Sequence, residues 1–291
     1  VGVYAYDEAA QNLRTALEMI PPEEKSEIHM ALKEKLGDVC RLVRDFNEAI
    51  SFYQQALEIW EALEAVDQII PVRLHRKIIQ IATEAKWSVE AETYRQVSQA
   101  SNASIASLEG SLPSLVSGTP DPETVRLLVA LSVDAWRNQS PPDWELAQNF
   151  AQTAVDMAEE IDDAVLLSRA LGALTNVLDG RSLLRKHLEV AQRRLQISQE
   201  ESFGDPREQI DTLRGAGVAL MYVGEYAQAL PHLEQAEELA THIQATDQVV
   251  NALGIQAQCL FRMDRWDEVL ATEVKWRELE AQHLRERVGE T

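Results

Sequence analysis

The sequence has no apolar stretch approaching the ~18 residues that a membrane-spanning helix requires, and its start lacks the basic and apolar regions of a secretion signal. Cysteine is nearly absent. Cys40 and Cys259 stand far apart, each on the apolar stripe of an expected helix, so buried free thiols in a reducing, cytoplasmic setting are expected rather than a disulfide framework. Glycine (12) and proline (10) are too few to break the chain often, which leaves room for long helices. Positive charge is also scarce, with 27 basic against 48 acidic residues and a formal charge of −21. That balance repels phosphate backbones and anionic lipid, so neither nucleic acid nor a membrane is an expected partner. Catalytic signatures are missing as well: there is no His-Glu-x-x-His, no Gly-x-Ser-x-Gly, no phosphate-binding glycine loop and no dinucleotide fingerprint. His187-Leu188-Glu189 and His232-Leu233-Glu234 have the first half of a zinc-deaminase motif, but no Pro-Cys-x-x-Cys follows either one. No enzyme activity, cofactor or metal site is therefore expected.

What is present is a recurring amphipathic hairpin, clearest from Asp211 to Ala240. A first helix carries Leu213, Ala216, Gly217 and Leu220 on one stripe; the turn Val223-Gly224-Glu225 follows, and a second helix carries Tyr226, Ala229, Leu233 and Ala236. Small residues are expected where the two helices cross, so that Gly217 and Ala229 let the backbones approach while Tyr226 plugs the gap beside the turn. The second helix of the pattern recurs at Ala9, Ala49, Glu90 or Ala91, Ala147, Leu184, Ala229 and Val269, with steps of 40 residues from Ala9 to Ala49 and from Ala229 to Val269. Tyr6, Phe46, Trp87, Trp144, Tyr226 and Trp266 fall at or next to one repeat position and are expected as core plugs. Trp60 and Trp136 lie off that register and stay candidates for a ligand contact.

These residues resemble the tetratricopeptide repeat, with Leu-Gly in the first helix, an aromatic after the turn and Ala, a bulky residue and Ala down the second. The units here are longer than the usual repeat of about 34 residues, and similar arrays are attached to bacterial signal-transduction ATPases and transcriptional activators. The resemblance implies an all-α, right-handed superhelix of helical hairpins. Laid along the chain, it gives one array over residues 1–291: a half repeat over 1–21, two repeats over 22–102, a linker or extra helix over 103–119, and four repeats over 120–291. Pro21-Pro22-Glu23-Glu24 and Asp121-Pro122 read as helix starts, and Asp205-Pro206-Arg207-Glu208 reads as a capping box. Because only five residues precede Tyr6, where a whole first helix belongs, the chain is expected to be a piece of a larger protein.

Arrays of this kind bind partners along the wall formed by their first helices. In the fifth unit the outward stripe is Arg169, Ala173 and Asn176; in the sixth it is Arg214, Val218, Met221 and Tyr222; in the seventh it is Asn251, Gln258, Phe261 and Arg262. Arginines and amides beside aromatics on an acidic protein suit a protein or an acidic or amphipathic peptide, although arginines on a helix face also serve simply to offset neighbouring acids. By resemblance the array senses such a partner, or a small-molecule inducer, and regulates an attached effector domain. A freestanding peptide-binding scaffold is the alternative, and a helical enzyme the third reading. The packing pattern makes its own prediction: Gly217→Leu and Ala229→Leu each lower stability in chemical denaturation by roughly 1–3 kcal/mol through overpacking. Unchanged midpoints for both variants would show that the register is misplaced.

Overall fold

The computed structural model describes residues 3–21, 24–63, 67–86, 88–200 and 203–288. The described residues form fourteen helices and no strand. The chain divides into two compact units, Val1–Met157 and Ala158–Thr291. The first holds α1 (Val3–Glu18), α2 (Glu27–Leu42), α3 (Phe46–Ala62), α4 (Ile69–Ala85), α5 (Ala91–Leu108), α6 (Leu112–Ser117) and α7 (Pro122–Arg137); α8 (Trp144–Ile161) contains the point of division. The second holds α9 (Ala164–Gly180), α10 (Leu184–Ser198), α11 (Pro206–Tyr222), α12 (Tyr226–His242), α13 (Thr246–Arg262) and α14 (Trp266–Val288). Within each unit, consecutive helices pack as antiparallel hairpins that stack on their neighbours: α2 on α3 and α3 on α4 in the first, and α9 through α14 in succession in the second. The extra short helix α6 precedes α7, which packs on α4.

The hairpin turns share one backbone device. Arg44, Ser182, Gly224 and Asp264 sit in the left-handed region, and the next amide donates back across the end of the first helix: Asp45 N to Cys40 O (2.9 Å), Leu183 N to Leu178 O (2.8 Å), Glu225 N to Leu220 O (2.9 Å) and Arg265 N to Leu260 O (3.1 Å). These bonds satisfy carbonyls that a helix end leaves open. Only Gly224 takes the conformation without a Cβ penalty, so the glycine that marks the turn in the sixth unit is replaced elsewhere by residues that carry no such signal.

Aligned on these turns, the fifth unit is shifted by three residues from the sequence register. Leu184 starts its helix as Tyr226 does, His187 takes the place of Ala229, and Arg194 takes the place of Ala236. Three residues are nearly one helical turn, so the slip preserved the apolar face and went unseen in the pattern. It also explains Gly172. A Cβ on Gly37 would meet the Tyr53 ring at 2.5 Å, and one on Gly217 would meet Leu233 at 2.6 Å, so these glycines admit a bulky partner side chain rather than a closer backbone. A Cβ on Gly172 would meet the Arg194 guanidinium carbon at 2.9 Å, and Gly215 leaves room on the opposite side.

Arg194 fills that slot between α9, α10 and α11. Its NH2 donates to Glu208 Oε1 and Asp211 Oδ2, both at 2.7 Å, and its Nε donates to Ser168 Oγ at 3.1 Å. Ser168 in turn donates to Glu208 Oε1 at 2.6 Å. Glu208 is therefore drawn into the fold and does not reach back to cap its own helix; of the expected capping box only the Asp205 half forms, accepting from Arg207 N and Glu208 N. Asp121 caps α7 as expected, accepting from Glu123 N at 2.8 Å and Thr124 N at 3.3 Å.

The aromatics expected as core plugs differ in burial. Phe46 is buried as expected, and Tyr6, Trp144 and Tyr226 are only half-buried. Trp266 is not buried: it is 52% exposed. Trp87, Pro22 and Glu23 lie outside the described residues.

The Arg194 cluster carries a prediction in two parts. Removing the guanidinium strands a buried carboxylate, so Arg194→Ala should cost about 3–5 kcal/mol in urea denaturation, with part restored in Arg194→Ala/Glu208→Ala. Burial raises the Asp211 pKa, but Arg194 and then Arg214 outweigh it and hold the group at about 2. Its folded pKa lies below an unfolded value of ~3.9, so its contribution is complete above about pH 4 and is lost as pH falls through about 2. Asp211→Asn should flatten that acid limb; an unchanged limb would assign it to other carboxylates.

Candidate functional site

In the first unit the wall of first helices is closed by its own ion pairs. Glu34 on α2 accepts from Arg73 Nε and NH2 on α4, both at 2.8 Å, and pairs with Lys77 at 2.8 Å. Burial raises the Glu34 pKa, but Arg73 and Lys77 outweigh it and leave it lowered. Asp38 takes Lys77 at 2.6 Å and the Tyr53 hydroxyl at 2.8 Å. Arg41 lies against Glu84 with Nε at 3.0 Å, and Arg76 reaches Glu123 on α7 at 2.9 Å. A depression of about 500 Å³ beside Arg41, Leu42, Phe46 and Glu84 is crossed by that bonding.

The matching positions on α11 and α13 are different. By the turn alignment, Glu34, Asp38 and Arg41 correspond to Arg214, Val218 and Met221 on α11, and these to Gly254, Gln258 and Phe261 on α13. No acid faces a base across this pair. A depression of about 550 Å³ remains, lined by Met221, Tyr222, Tyr226, Ala257, Gln258, Phe261, Arg262 and Val269. Tyr222 is 42% and Phe261 50% exposed, unusual for large aromatics outside a contact surface. Phe261 stands edge-on to Trp266 with centroids 5.0 Å apart, and Tyr222 rests 6.0 Å from the ring of His187. Burial lowers the His187 pKa against the pull of Asp179, and the buried Nδ1 has no hydrogen-bond partner among the described residues. The neutral imidazole is thus an apolar support for Tyr222. Arg262 is exposed at the rim with no ion pair among the described residues, the state of a cation available to an incoming carboxylate.

Five of the nine residues expected to line a partner site, Met221, Tyr222, Gln258, Phe261 and Arg262, come together in this depression. The other four lie apart from it. Arg169 donates to Asp205 Oδ2 at 2.7 Å and approaches Glu208 at 3.5 Å, and Arg214 bonds Asp211 one turn back on its own helix. Both arginines thereby join the Arg194 cluster. Asn176 and Asn251 are exposed on α9 and α13. Tyr226, Ala257 and Val269 also line the depression; in the sequence they read as packing positions, and their place beside Tyr222 and Phe261 follows from the turn rather than from either stripe.

Of the two tryptophans left as candidates, Trp60 packs on the core and donates from Nε1 to Asp67 O at 3.1 Å. Trp136 stacks on Trp144, with centroids 5.9 Å apart and rings 11° from parallel. Cys40 and Cys259 are buried and unbonded to each other; burial and then Glu48 push the Cys40 thiol up to about 12, and burial pushes Cys259 up to about 11, so neither is a nucleophile near neutral pH. Among the described residues no group of three His, Cys, Asp or Glu side chains could hold a metal ion, and no helix is long and apolar enough to cross a membrane.

No family model and no curated protein matches the sequence. Solved structures do match its fold. The apo form of RapI is 16% identical with a TM-score of 0.61, over 96% of this chain and 75% of that one. NprR in complex with its cognate peptide NprX is 12% identical with a TM-score of 0.55, over 96% and 71%. A signal-transduction ATPase with a tetratricopeptide-repeat sensor from Pyrococcus horikoshii is 16% identical with a TM-score of 0.57, over 97% of this chain and 41% of that one. At these identities the likeness is one of fold. The chain has the all-α, right-handed helical-hairpin architecture of tetratricopeptide-like repeat proteins.

Proposed function

We propose that this chain is a sensing or protein-interaction segment that captures an acidic, amphipathic peptide in the depression between α11 and α13. One observation carries the reading: the ion pairs that tie α2 to α4 in the first unit have no counterpart between α11 and α13, where a depression is lined by the exposed Tyr222 and Phe261, with Arg262 unpaired at its rim among the described residues. Met221, Tyr222 and Phe261 supply apolar anchors, Gln258 an amide for a peptide backbone, and Arg262 a fork for a carboxylate. The overall charge of −21 leaves few surfaces that attract an acidic ligand, and Arg262 makes this rim one of them. NprR, solved with its cognate peptide, and the archaeal ATPase with its repeat sensor support the reading by analogy of fold. By the same analogy, occupancy of the groove controls an effector domain, in the manner of a sensor joined to an ATPase.

The test uses a fluorescent peptide that alternates Glu with Leu and Phe, and a counterpart with Lys in place of Glu. The acidic peptide should bind saturably, and Arg262→Glu, Tyr222→Ala and Phe261→Ala should each weaken it about tenfold or more without moving the thermal midpoint. Arg169→Glu, whose partners are internal, should lower the midpoint and leave affinity alone. Equal affinity across the three groove variants, or tighter binding of the basic peptide, would refute the reading.

A further inference from the structure

A second depression, in the first unit, concentrates the charge that the protein otherwise lacks. It measures about 340 Å³ and lies between the end of α1, α2 and α3. Leu17, Ile20 and Ile59 give it an apolar side; Lys25, just before α2, and His29 and Lys33, on it, give it a polar and mainly basic one. His29 and Lys33 are one turn apart and share a face of the helix, and Lys25 precedes its N-cap Ser26.

Several other basic groups of this unit are neutralised. Arg14 is bonded to Glu48, Arg41 to Glu84, Arg73 and Lys77 to Glu34, and Arg76 to Glu123. Lys25 and Lys33 have no ion pair among the described residues. Lys33 is half-buried, its ammonium 5.4 Å from the centre of the Phe52 ring, and burial lowers its pKa with no carboxylate to oppose the effect. The Phe52 ring face supports that ammonium, and an anion beside it would add a partner that the described residues do not supply. His29 Nδ1 donates to Glu24 O at 2.9 Å, which fixes the ring and leaves Nε2 as the acceptor of the neutral imidazole, so the donors for an anion here are the two ammonium groups. One carboxylate, Glu58, lines the exposed rim, so the ammonium groups outnumber the acids in the depression.

We propose that this depression binds a small organic monoanion, a carboxylate head on a short apolar chain. The head would lie between Lys25 and Lys33, and the chain against Leu17, Ile20 and Ile59. Its volume is near the lower end of the ~300–1,000 Å³ range of small-molecule pockets, suited to such a ligand rather than to a folded partner. The inference is independent of the α11–α13 groove, which lies in the other unit.

Calorimetric titration of the whole chain with octanoate, octanol and inorganic phosphate tests it. Octanoate should bind saturably, with octanol and phosphate each at least about tenfold weaker, because each lacks one half of the complementarity. Lys33→Gln and Lys25→Gln should each weaken octanoate about tenfold, and Lys33→Arg should retain most of the affinity, with circular dichroism confirming unchanged helicity in all three. Octanol equal to octanoate would reduce the site to an apolar dent, and phosphate equal to octanoate would remove the role of the apolar side. Absence of saturable octanoate binding, or full affinity in both glutamine variants, would overturn the proposal outright.

Discussion

A helical hairpin of about 35 residues cannot cover its own open face, and the structure depends on how each hairpin closes that face against the next. Two kinds of contact do it. Apolar positions on the second helix, such as Ala56, Ala236 and Leu233, are wholly buried between neighbours. First helices are tied across the same junctions by ionic groups: Glu34 and Asp38 to residues of α4, and Ser168 and Arg169 on α9 to Glu208 and Asp205. The Arg194 cluster combines both kinds. An arginine occupies an alanine position because Gly172 and Gly215 give up the space, and Glu208, Asp211 and Ser168 compensate its desolvation.

The proposed binding sites lie where that bonding stops. An acidic chain gains little from leaving arginine unpaired, since neighbouring acids are plentiful and attraction to them is favourable. Arg262, Lys25 and Lys33 nevertheless have no acid bonded to them, and each borders a depression with apolar lining. The two depressions differ in kind. The one between α11 and α13, about 550 Å³, has aromatic lining; the one at the start of α2, about 340 Å³, is smaller and aliphatic. Other charges along the walls are paired, as at Arg41 with Glu84 and Arg193 with Glu159.

The hairpin pattern was legible in the sequence because side-chain periodicity and helix caps are local properties: Asp121, Asp205 and the turn at Gly224 announce themselves. The register of the fifth unit was not. Its turn at Ser182 lacks glycine, and a three-residue shift leaves apolar residues on nearly the same face, so Arg194 was hidden on a stripe of otherwise small or apolar residues. Five residues of the candidate groove followed from the exposed stripes of α11 and α13. The pairing of Arg169 and Arg214 did not, because partners such as Asp205 on a neighbouring hairpin, or Asp211 already shared with Arg194, are fixed only once the hairpins stack. Exposure of Trp266 depends likewise on which helix lies above it, which periodicity within α14 cannot say.

The chain's five methionines make the location of the groove directly observable. Met221 lines the groove and Met263 packs, like Met221, against the neighbouring core of Leu220, Leu230 and Leu260, whereas Met30 is buried in the first unit and Met19 is exposed after α1. In a spectrum of the protein carrying carbon-13 at its methionine methyl groups, titration with the alternating Glu, Leu and Phe peptide should shift Met221 most, Met263 less, and Met19 and Met30 not at all. A saturable shift at Met19 or Met30 with Met221 unmoved would place the bound peptide in the first unit and contradict the account.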